Sequence, residues 1–303
     1  MLTILACPKP FENTHIATIQ RNAITSWTLL KPRPEIILFG DEAGVAEICR
    51  DLGLRHVPDI VRNEFGTPLL NDIFQKGQNL ATWPVVCYIN ADIILLDDFQ
   101  RIIEVVSQID REFLVVGQRW NLDIAEPIDF SSSTWAEDLR TLAKTAGHLA
   151  SPDTIDYFVF SKGLFLELPP FAVGRGFFDI WLLWYAMRRR KVLVIDATPS
   201  VTVIHQNHTY FHLPGVEQWY TRSPEALRNR ALAGGWRHWV TIYDVRHVLS
   251  CNKIANTGHK RLIKANFLRY WQLLLILSAP ARFKVGLRRS TVRRIINSLK
   301  NSK

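Results

Sequence analysis

The chain has 303 residues, of which 48% are hydrophobic and 21% charged, so it can bury an ordinary globular core as one large domain or two small ones. Its four cysteines, Cys7, Cys49, Cys87 and Cys251, lie far apart in the sequence and form no CxxC pair. This spacing argues against a disulfide framework and against a cysteine zinc site. A reducing, cytoplasmic setting is therefore expected.

The formal net charge of +9 is unevenly distributed along the chain. Residues 245–303 contain 14 Lys or Arg and no Asp or Glu, and the residues before them carry a net charge of −5. This asymmetry predicts a polyanionic partner for the carboxyl-terminal segment, either an anionic membrane or a nucleic acid. The apolar stretch 265–279 falls short of the roughly 20 residues that span a bilayer. It is predicted to form a helix that lies on the membrane interface or packs against the domain.

Apolar segments of strand length and helix length alternate through the chain. The first residues lack the basic region and long apolar core of a signal peptide and are predicted to form a strand at 3–6. Further strands are predicted at 35–39, 57–60, 85–89, 113–117, 157–161, 192–195 and 201–204, and helices at 14–30, 45–52, 69–80, 99–109, 136–146 and 178–188. This alternation indicates a parallel sheet with right-handed crossovers, so the predicted fold class is α/β.

The sequence changes character after Pro214. Helices are predicted at 224–233 and 239–249, followed by the basic segment. We therefore predict a first domain over residues 1–215 and a basic α-helical extension over residues 216–303.

The rest of the chain is organised around residues 85–99. Residues 85–89 are predicted to form a strand buried on both faces, which places Asp92 at the carboxyl end of that strand. Ligands of open α/β sheets bind at this edge, and a carboxylate there could hold a divalent cation that in turn holds phosphates. Asp97 and Asp98 are instead interpreted as helix capping residues.

Neither a GxxxxGK[ST] loop nor a GxGxxG turn is present, which argues against P-loop and dinucleotide-binding functions. The sequence Asn90-Ala91-Asp92 resembles the DXD motif of glycosyltransferases with the GT-A fold, with Asn in the first acidic position. Other segments extend the resemblance over residues 1–213. They are Ala6-Cys-Pro-Lys-Pro-Phe, Leu38-Phe-Gly-Asp-Glu-Ala-Gly, the strand that follows Asp156, and residues 169–181 and 204–210.

The resemblance implies a Rossmann-like, mostly parallel sheet flanked by helices. It implies a glycosyltransferase that moves a sugar from a nucleoside-diphosphate sugar to a saccharide or lipid-linked acceptor. A Mn²⁺ or Mg²⁺ ion would neutralise the diphosphate leaving group. Asp92, His205 and His208 would be the metal ligands, and Asn90 would offer an uncharged amide to the metal or the nucleotide.

The resemblance also implies the roles of other residues. Asp179, in the first turn of a helix, would receive the proton of the acceptor or touch the donor sugar. Asp156 and Trp181 would bind a sugar, because apolar sugar faces stack on aromatic rings and sugar hydroxyls bind carboxylates. The nucleotide would be bound, in addition to Asn90, by Pro8, Lys9, Asp41, Asn63, Thr67 and Arg175.

Alternatives remain open at this point. Asp179 could simply cap its helix, and the histidines could belong to a solvated loop. A zinc hydrolase would place His205, His208 and His212 on one face of a helix, although HExxH is absent and residues 201–204 are β-like.

At the level of the whole chain, a non-catalytic module on a degenerate transferase scaffold would bind a membrane or nucleic acid. A sugar-nucleotide pyrophosphorylase would need a glycine-rich first loop that is absent here. Peripheral attachment at the inner face of an anionic membrane is favoured over nucleic-acid binding.

Overall fold

The computed structural model describes residues 1–208, 222–250 and 252–257. Residues 1–257 group into one compact unit. Residues 258–303, and with them the helix predicted at 265–279, lie outside the described residues. The predicted boundary at 215/216 falls within residues 209–221, which lie outside the described residues, and it stays a prediction. Within the described ranges, no helix combines the length and apolar character needed to cross a membrane.

Most predicted elements form within a residue or two of the expected positions. The described strands are β1 (Leu2–Ala6), β2 (Glu35–Phe39), β3 (Arg55–Val57), β4 (Val85–Ile89), β5 (Ile93–Leu95), β6 (Phe113–Val116), β7 (Trp120–Leu122), β8 (His148–Leu149), β9 (Tyr157–Ser161), β10 (Leu193–Asp196), β11 (Val203–Gln206), β12 (His247–Ser250) and β13 (Lys253–Asn256). The described α-helices are α1 (Thr14–Thr28), α2 (Val45–Leu52), α3 (Leu70–Leu80), α4 (Gln100–Val106), α5 (Trp135–Thr145), α6 (Phe178–Arg188) and α7 (Pro224–Leu232).

The large sheet has nine described strands in the order β13-β12-β10-β6-β9-β4-β1-β2-β3. Its pairs are parallel except that β9 runs antiparallel to β4 and β6, and β13 antiparallel to β12. The predicted α/β class with a mostly parallel sheet is confirmed. The chain winds from β1 outward to β3 and then returns to β4 on the other side of β1. The carboxyl ends of β1 and β4 therefore flank a topological switch point, where such sheets bind ligands.

The core lies on both faces of this sheet, because the side chains of its central strands point to apolar clusters on both sides, as those of β4 do. The side chains of β4 alternate, with Val85, Cys87 and Ile89 in one apolar cluster and Val86 and Tyr88 in another. All five residues are buried. An unbroken apolar run is what a central strand needs when helices cover both faces of the sheet.

A second sheet, in the order β5-β11-β7-β8, begins at the carboxyl end of β4. Only Asn90, Ala91 and Asp92 separate β4 from β5. The fully buried Trp27 of α1 donates its indole N–H to the carbonyl of Ile93 at 2.8 Å. This hydrogen bond fixes the start of β5 against α1, so the second sheet stands beside the switch point.

Three predictions of local structure are wrong. The third strand ends at Val57 rather than spanning 57–60, because Pro58 has no N–H for strand pairing. Residues 239–249 form one 3₁₀ turn, Ile242–Asp244, and most of β12 rather than a helix, because β12 pairs in parallel with β10. The last strand extends to Gln206, so His205 lies within β11 and not after it.

The helix-capping interpretation of Asp97 and Asp98 is also wrong. They begin a 3₁₀ turn before α4, and neither side chain caps a helix. The Asp98 carboxylate accepts a hydrogen bond from the backbone N–H of Thr202 at 3.1 Å and forms an ion pair with Arg140 of α5 at 3.4 Å. Asp97 forms an ion pair with the same arginine but does not bind Thr202. Asp98 therefore ties the segment that leads into β11 to the segment that follows β5.

We predict that Asp98→Ala lowers the free energy of unfolding by about 1–3 kcal/mol, because it leaves the buried N–H of Thr202 without its acceptor. The matched Asp97→Ala variant removes a carboxylate that is 76% exposed and should cost less than about 1 kcal/mol. Urea denaturation of both variants checks this. Equal losses of stability would show that the Thr202 contact is not important.

Candidate functional site

The structure brings the three predicted metal ligands together at the switch point. Asp92 Oδ2 lies 3.1 Å from His208 Nε2 and 3.9 Å from His205 Nε2. Their side chains are 13%, 2% and 12% exposed, respectively. The zinc alternative on a helical face is wrong for His205, which is in β11, and His212 lies outside the described residues.

Strand pairing and a tight turn position the two histidines. His205 is the cross-strand partner of Ile93, the residue after Asp92. Asn207, two residues after His205, is fixed by its backbone N–H, which donates to the carbonyl of Leu122 at 2.9 Å. Its own carbonyl accepts a hydrogen bond from His15 of α1 at 3.2 Å. The second sheet and α1 together fix the turn that presents His208.

Lys9 reaches the same place from the end of β1. Its Nζ lies 3.4 Å from His208 Nε2. Both backbone polar groups of Lys9 bind the buried side chain of Gln20 of α1, its N–H at 2.7 Å and its carbonyl at 2.9 Å. A positive charge is thus held beside the carboxylate of Asp92.

The electrostatics favour an ionised Asp92. Burial alone raises the pKa of its carboxyl, but the hydrogen bond from His208 and the electrostatic effects of His205 and Lys9 outweigh burial, and the pKa lies well below its usual range. Burial lowers the pKa of His205, against the attraction of Asp92. A carboxylate and a neutral imidazole are the protonation states that a metal ion requires.

The three side chains fit a divalent metal ion. Their ligand atoms all lie within 4.8 Å of one another, which suits one ion with bonds of about 2.0–2.2 Å. Among the described residues, Asp92 Oδ1 and His205 Nδ1 are buried without a hydrogen-bond partner. One carboxylate and two imidazoles suit Mn²⁺ or Zn²⁺, and they leave coordination positions for oxygens of a ligand.

The first position of the motif serves a neighbouring acid. Asn90 donates its side-chain N–H to Asp156 Oδ1 at 2.6 Å, and Arg119 forms an ion pair with Asp156 Oδ2. Arg119 also donates to Asn121 of β7 at 3.0 Å. A carboxylate at position 90 would face the carboxylate of Asp156, so the amide is the group that this position needs.

Asp179 lies in the first turn of α6, as predicted, but the capping position is Phe177. Phe177 has a φ of +79°, a left-handed conformation that costs energy for a residue with a side chain. Burial, together with the charges of Asp156 and Asp153, raises the pKa of Asp179 to about 7, although the backbone N–H of Ile180 opposes the shift. Its Oδ1 is buried and, within the described part of the chain, has no hydrogen-bond partner.

Three residues predicted to bind the nucleotide converge on Glu225 of α7. Asn63 donates to Glu225 Oε1 at 2.6 Å, Arg175 donates to Oε2 at 2.8 Å, and Thr67 also hydrogen-bonds to this carboxylate. The Glu225 side chain is only 2% exposed. In this structure the three residues hold α7 against the loops at 63–67 and 172–177, and their nucleotide-binding role stays a prediction.

Two further predicted residues follow the first strands. Pro8 is buried directly after β1. Asp41 is 71% exposed after β2 and pairs with Arg62, which also donates to Glu42 at 2.9 Å. Both lie in the loops that follow β1 and β2, next to the switch point.

Trp181 does not offer an open face to a sugar. It is 7% exposed and packs in the core against Phe171 and Tyr185, with ring centroids 5.6 and 4.7 Å away. The prediction that it binds substrate is therefore not supported by its position, because protein side chains already cover its rings.

Several site residues were missed in the sequence. Arg119 follows the strand β6 by three positions, so the strand-end rule that identified Asp92 could have found it. Gln20 and Glu225 carry no such signal, because each acts through residues that are far away in the sequence.

No protein-family model and no curated protein matches the chain. Among solved structures, it is similar to glucosyl-3-phosphoglycerate synthase from Mycobacterium tuberculosis. The complex of that enzyme with Mg²⁺ and UDP is 12% identical with a TM-score of 0.44, over 78% of this chain and 80% of that one. Its complex with Mn²⁺, UDP-glucose and phosphoglyceric acid is 14% identical with a TM-score of 0.45, over the same shares.

The raised pKa of Asp179 predicts how stability depends on pH. The folded chain holds this proton up to about pH 7, whereas an exposed aspartate releases it near 3.8. The stabilisation that protonation provides is therefore lost as the pH rises through this interval. In metal-free buffer, the unfolding free energy of wild type relative to Asp179→Asn should fall between pH 5 and about 7 and then stay level.

Urea denaturation at several pH values measures this difference. The control is Asp59→Asn, which changes a fully exposed carboxylate and should give no such slope. A difference between wild type and Asp179→Asn that does not change with pH would contradict the raised pKa.

Proposed function

We propose that the protein is a GT-A-type glycosyltransferase. It transfers a sugar from a nucleoside-diphosphate sugar to a hydroxyl group of a saccharide or lipid-linked acceptor, with a divalent metal ion held by Asp92, His205 and His208. The observation that carries the proposal is the clustering of these three side chains, which brings His205 of β11 and His208 after it to Asp92, between β4 and β5. Open α/β sheets bind their ligands at this crevice.

The charges of the site suit a diphosphate. The three metal ligands contribute a single negative charge from Asp92, and Lys9 adds a positive charge beside them. A bound Mn²⁺ or Mg²⁺ would supply electrostatic stabilisation of the diphosphate leaving group. Lys9 would add a hydrogen-bond donor to the phosphate oxygens from the side of β1.

Asp179 is the proposed proton acceptor. A general base works best when its pKa lies close to the working pH, and the pKa of Asp179 is raised to about 7. Its buried Oδ1 has no hydrogen-bond partner among the described side chains and backbone groups, so it can accept the proton of an acceptor hydroxyl. Asp156 already binds Asn90 and Arg119 and is proposed to orient a sugar hydroxyl rather than to take a proton.

We also propose that the basic residues 245–303 place the enzyme at an anionic membrane surface, where lipid-linked acceptors occur. Cosedimentation of the full chain with phosphatidylserine vesicles should show binding that weakens as salt rises. Equal binding to vesicles of neutral lipid would contradict this part of the proposal.

The enzymatic proposal predicts metal-dependent hydrolysis or transfer of at least one nucleotide sugar. A panel of UDP- and GDP-sugars with Mn²⁺ should give product with wild type and a loss of at least about 100-fold with Asp92→Ala, a typical cost of removing a group that stabilises developing charge. Asp97→Ala, an exposed carboxylate next to the same loop, should keep the activity. Equal activity in the Asp92 and Asp97 variants would contradict the proposed site.

The proposed base predicts the pH profile of that reaction. For wild type, kcat/KM should rise with pH and level off above about 7, because only the ionised Asp179 accepts a proton. Asp179→Asn should lower kcat by roughly 10²–10⁴-fold and remove this ascending limb. An unchanged profile in the variant would show that another group is the base.

A further inference from the structure

Lys9 contacts one of the atoms that would bind the metal. Its Nζ lies 3.4 Å from His208 Nε2, and that nitrogen lies 3.1 Å from Asp92 Oδ2. The buried Gln20 holds both backbone groups of Lys9, so the start of this side chain is fixed by α1. The ammonium is therefore a built part of the site.

The contact uses the lone pair that a metal ion needs. An ammonium group can only donate hydrogens, so His208 Nε2 accepts from Lys9 through its single lone pair. The 3.1 Å contact with Asp92 Oδ2 instead requires the other tautomer, with the hydrogen on Nε2 donated to the carboxylate. In neither arrangement is Nε2 available to coordinate a cation.

The charge of Lys9 also lowers the affinity of the site for a metal ion. A divalent cation at the three ligands would lie a few Å from the ammonium, and two cations at such separations repel each other strongly enough to change a binding constant by roughly tenfold or more. Asp92 supplies the only carboxylate among these ligands, and Lys9 already offsets its charge. The site as it stands is therefore poorly suited to a metal ion alone.

A diphosphate would change this balance. The four-carbon stem of lysine is flexible, so the ammonium can turn from His208 to a phosphate oxygen while the backbone stays bound to Gln20. That movement removes the contact of Lys9 with Nε2, so that only the contact with Asp92 remains, and it brings negative charge to the metal. We propose that Lys9 keeps the metal affinity of Asp92, His205 and His208 low until a nucleoside diphosphate is bound, so that metal and nucleotide bind cooperatively. The inference rests on the proposed function for the identity of the anion.

The test is Mn²⁺ binding rather than activity, measured as loss of the free Mn²⁺ signal in electron paramagnetic resonance. Lys9→Met removes the charge and keeps an apolar side chain of similar length, and Lys9→Arg keeps the charge. Lys253→Met is the matched control, because it removes an exposed lysine on β13, six strands away from β1 in the large sheet. Each protein is titrated with Mn²⁺ alone and with UDP present, after correction for the Mn²⁺–UDP complex in solution.

We expect Lys9→Met to bind Mn²⁺ alone at least about tenfold more tightly than wild type. Lys9→Arg and Lys253→Met should stay close to wild type. UDP should tighten Mn²⁺ binding to wild type by a similar factor and have a smaller effect on Lys9→Met. Adding His208→Ala to Lys9→Met should abolish the tight binding, which places it at the three ligands.

Unchanged affinity of Lys9→Met for Mn²⁺ alone would overturn the inference, as would an equal effect of UDP on wild type and Lys9→Met. The metal-alone comparison does not depend on a nucleotide, so it can fail while the proposed function stands. Conversely, if UDP does not bind to wild type at any Mn²⁺ concentration, the proposed function fails and with it the coupling to a diphosphate. Tighter binding of Mn²⁺ alone by Lys9→Met would then show only that the lysine opposes the metal.

Discussion

The structure depends on how the negative charge of one buried carboxylate, that of Asp92, is stabilised. Burying a charge without partners is costly, and here the partners come from two separate parts of the chain. Lys9 comes from the end of β1, and His205 and His208 come from β11 and the turn after it. Satisfying Asp92 therefore requires that the large sheet, the second sheet and α1 are assembled correctly. The fold and the site share the same interactions.

Three acids near this crevice have different surroundings, and the differences separate their roles. Asp92 is bound by histidines and a lysine and stays ionised. Asp156 has both oxygens occupied, by Asn90 and by Arg119. Asp179 is buried near other acids, and its pKa rises to about 7. Acids whose environments push their pKa values apart are the usual basis for dividing charge stabilisation and proton transfer within one site.

The sequence predicts the elements whose pattern is local. The apolar run at 85–89 and the helix at 178–188 match the observed β4 and α6, and with them the positions of Asp92 and Asp179. The resemblance to GT-A glycosyltransferases implied that His205 and His208 would reach Asp92. What could not be predicted depends on tertiary contacts. The partner of Asn90 is Asp156, the role of Asp98 depends on Thr202, and Arg175 is bound by Glu225 from a later helix. Trp181 is an aromatic residue of the kind that stacks on sugars, but the packing of α6 on the sheet buries it.

We propose that Asp92, His205 and His208 hold a divalent metal ion together with a nucleoside diphosphate. A crystal structure of the full chain grown with Mn²⁺ and UDP, with anomalous diffraction recorded at the manganese absorption edge, tests it most directly. We expect a manganese peak within coordination distance of Asp92, His205 and His208, with the diphosphate of UDP bound to the same ion. Ordered UDP with manganese elsewhere, or with no manganese peak at these three residues, would contradict it.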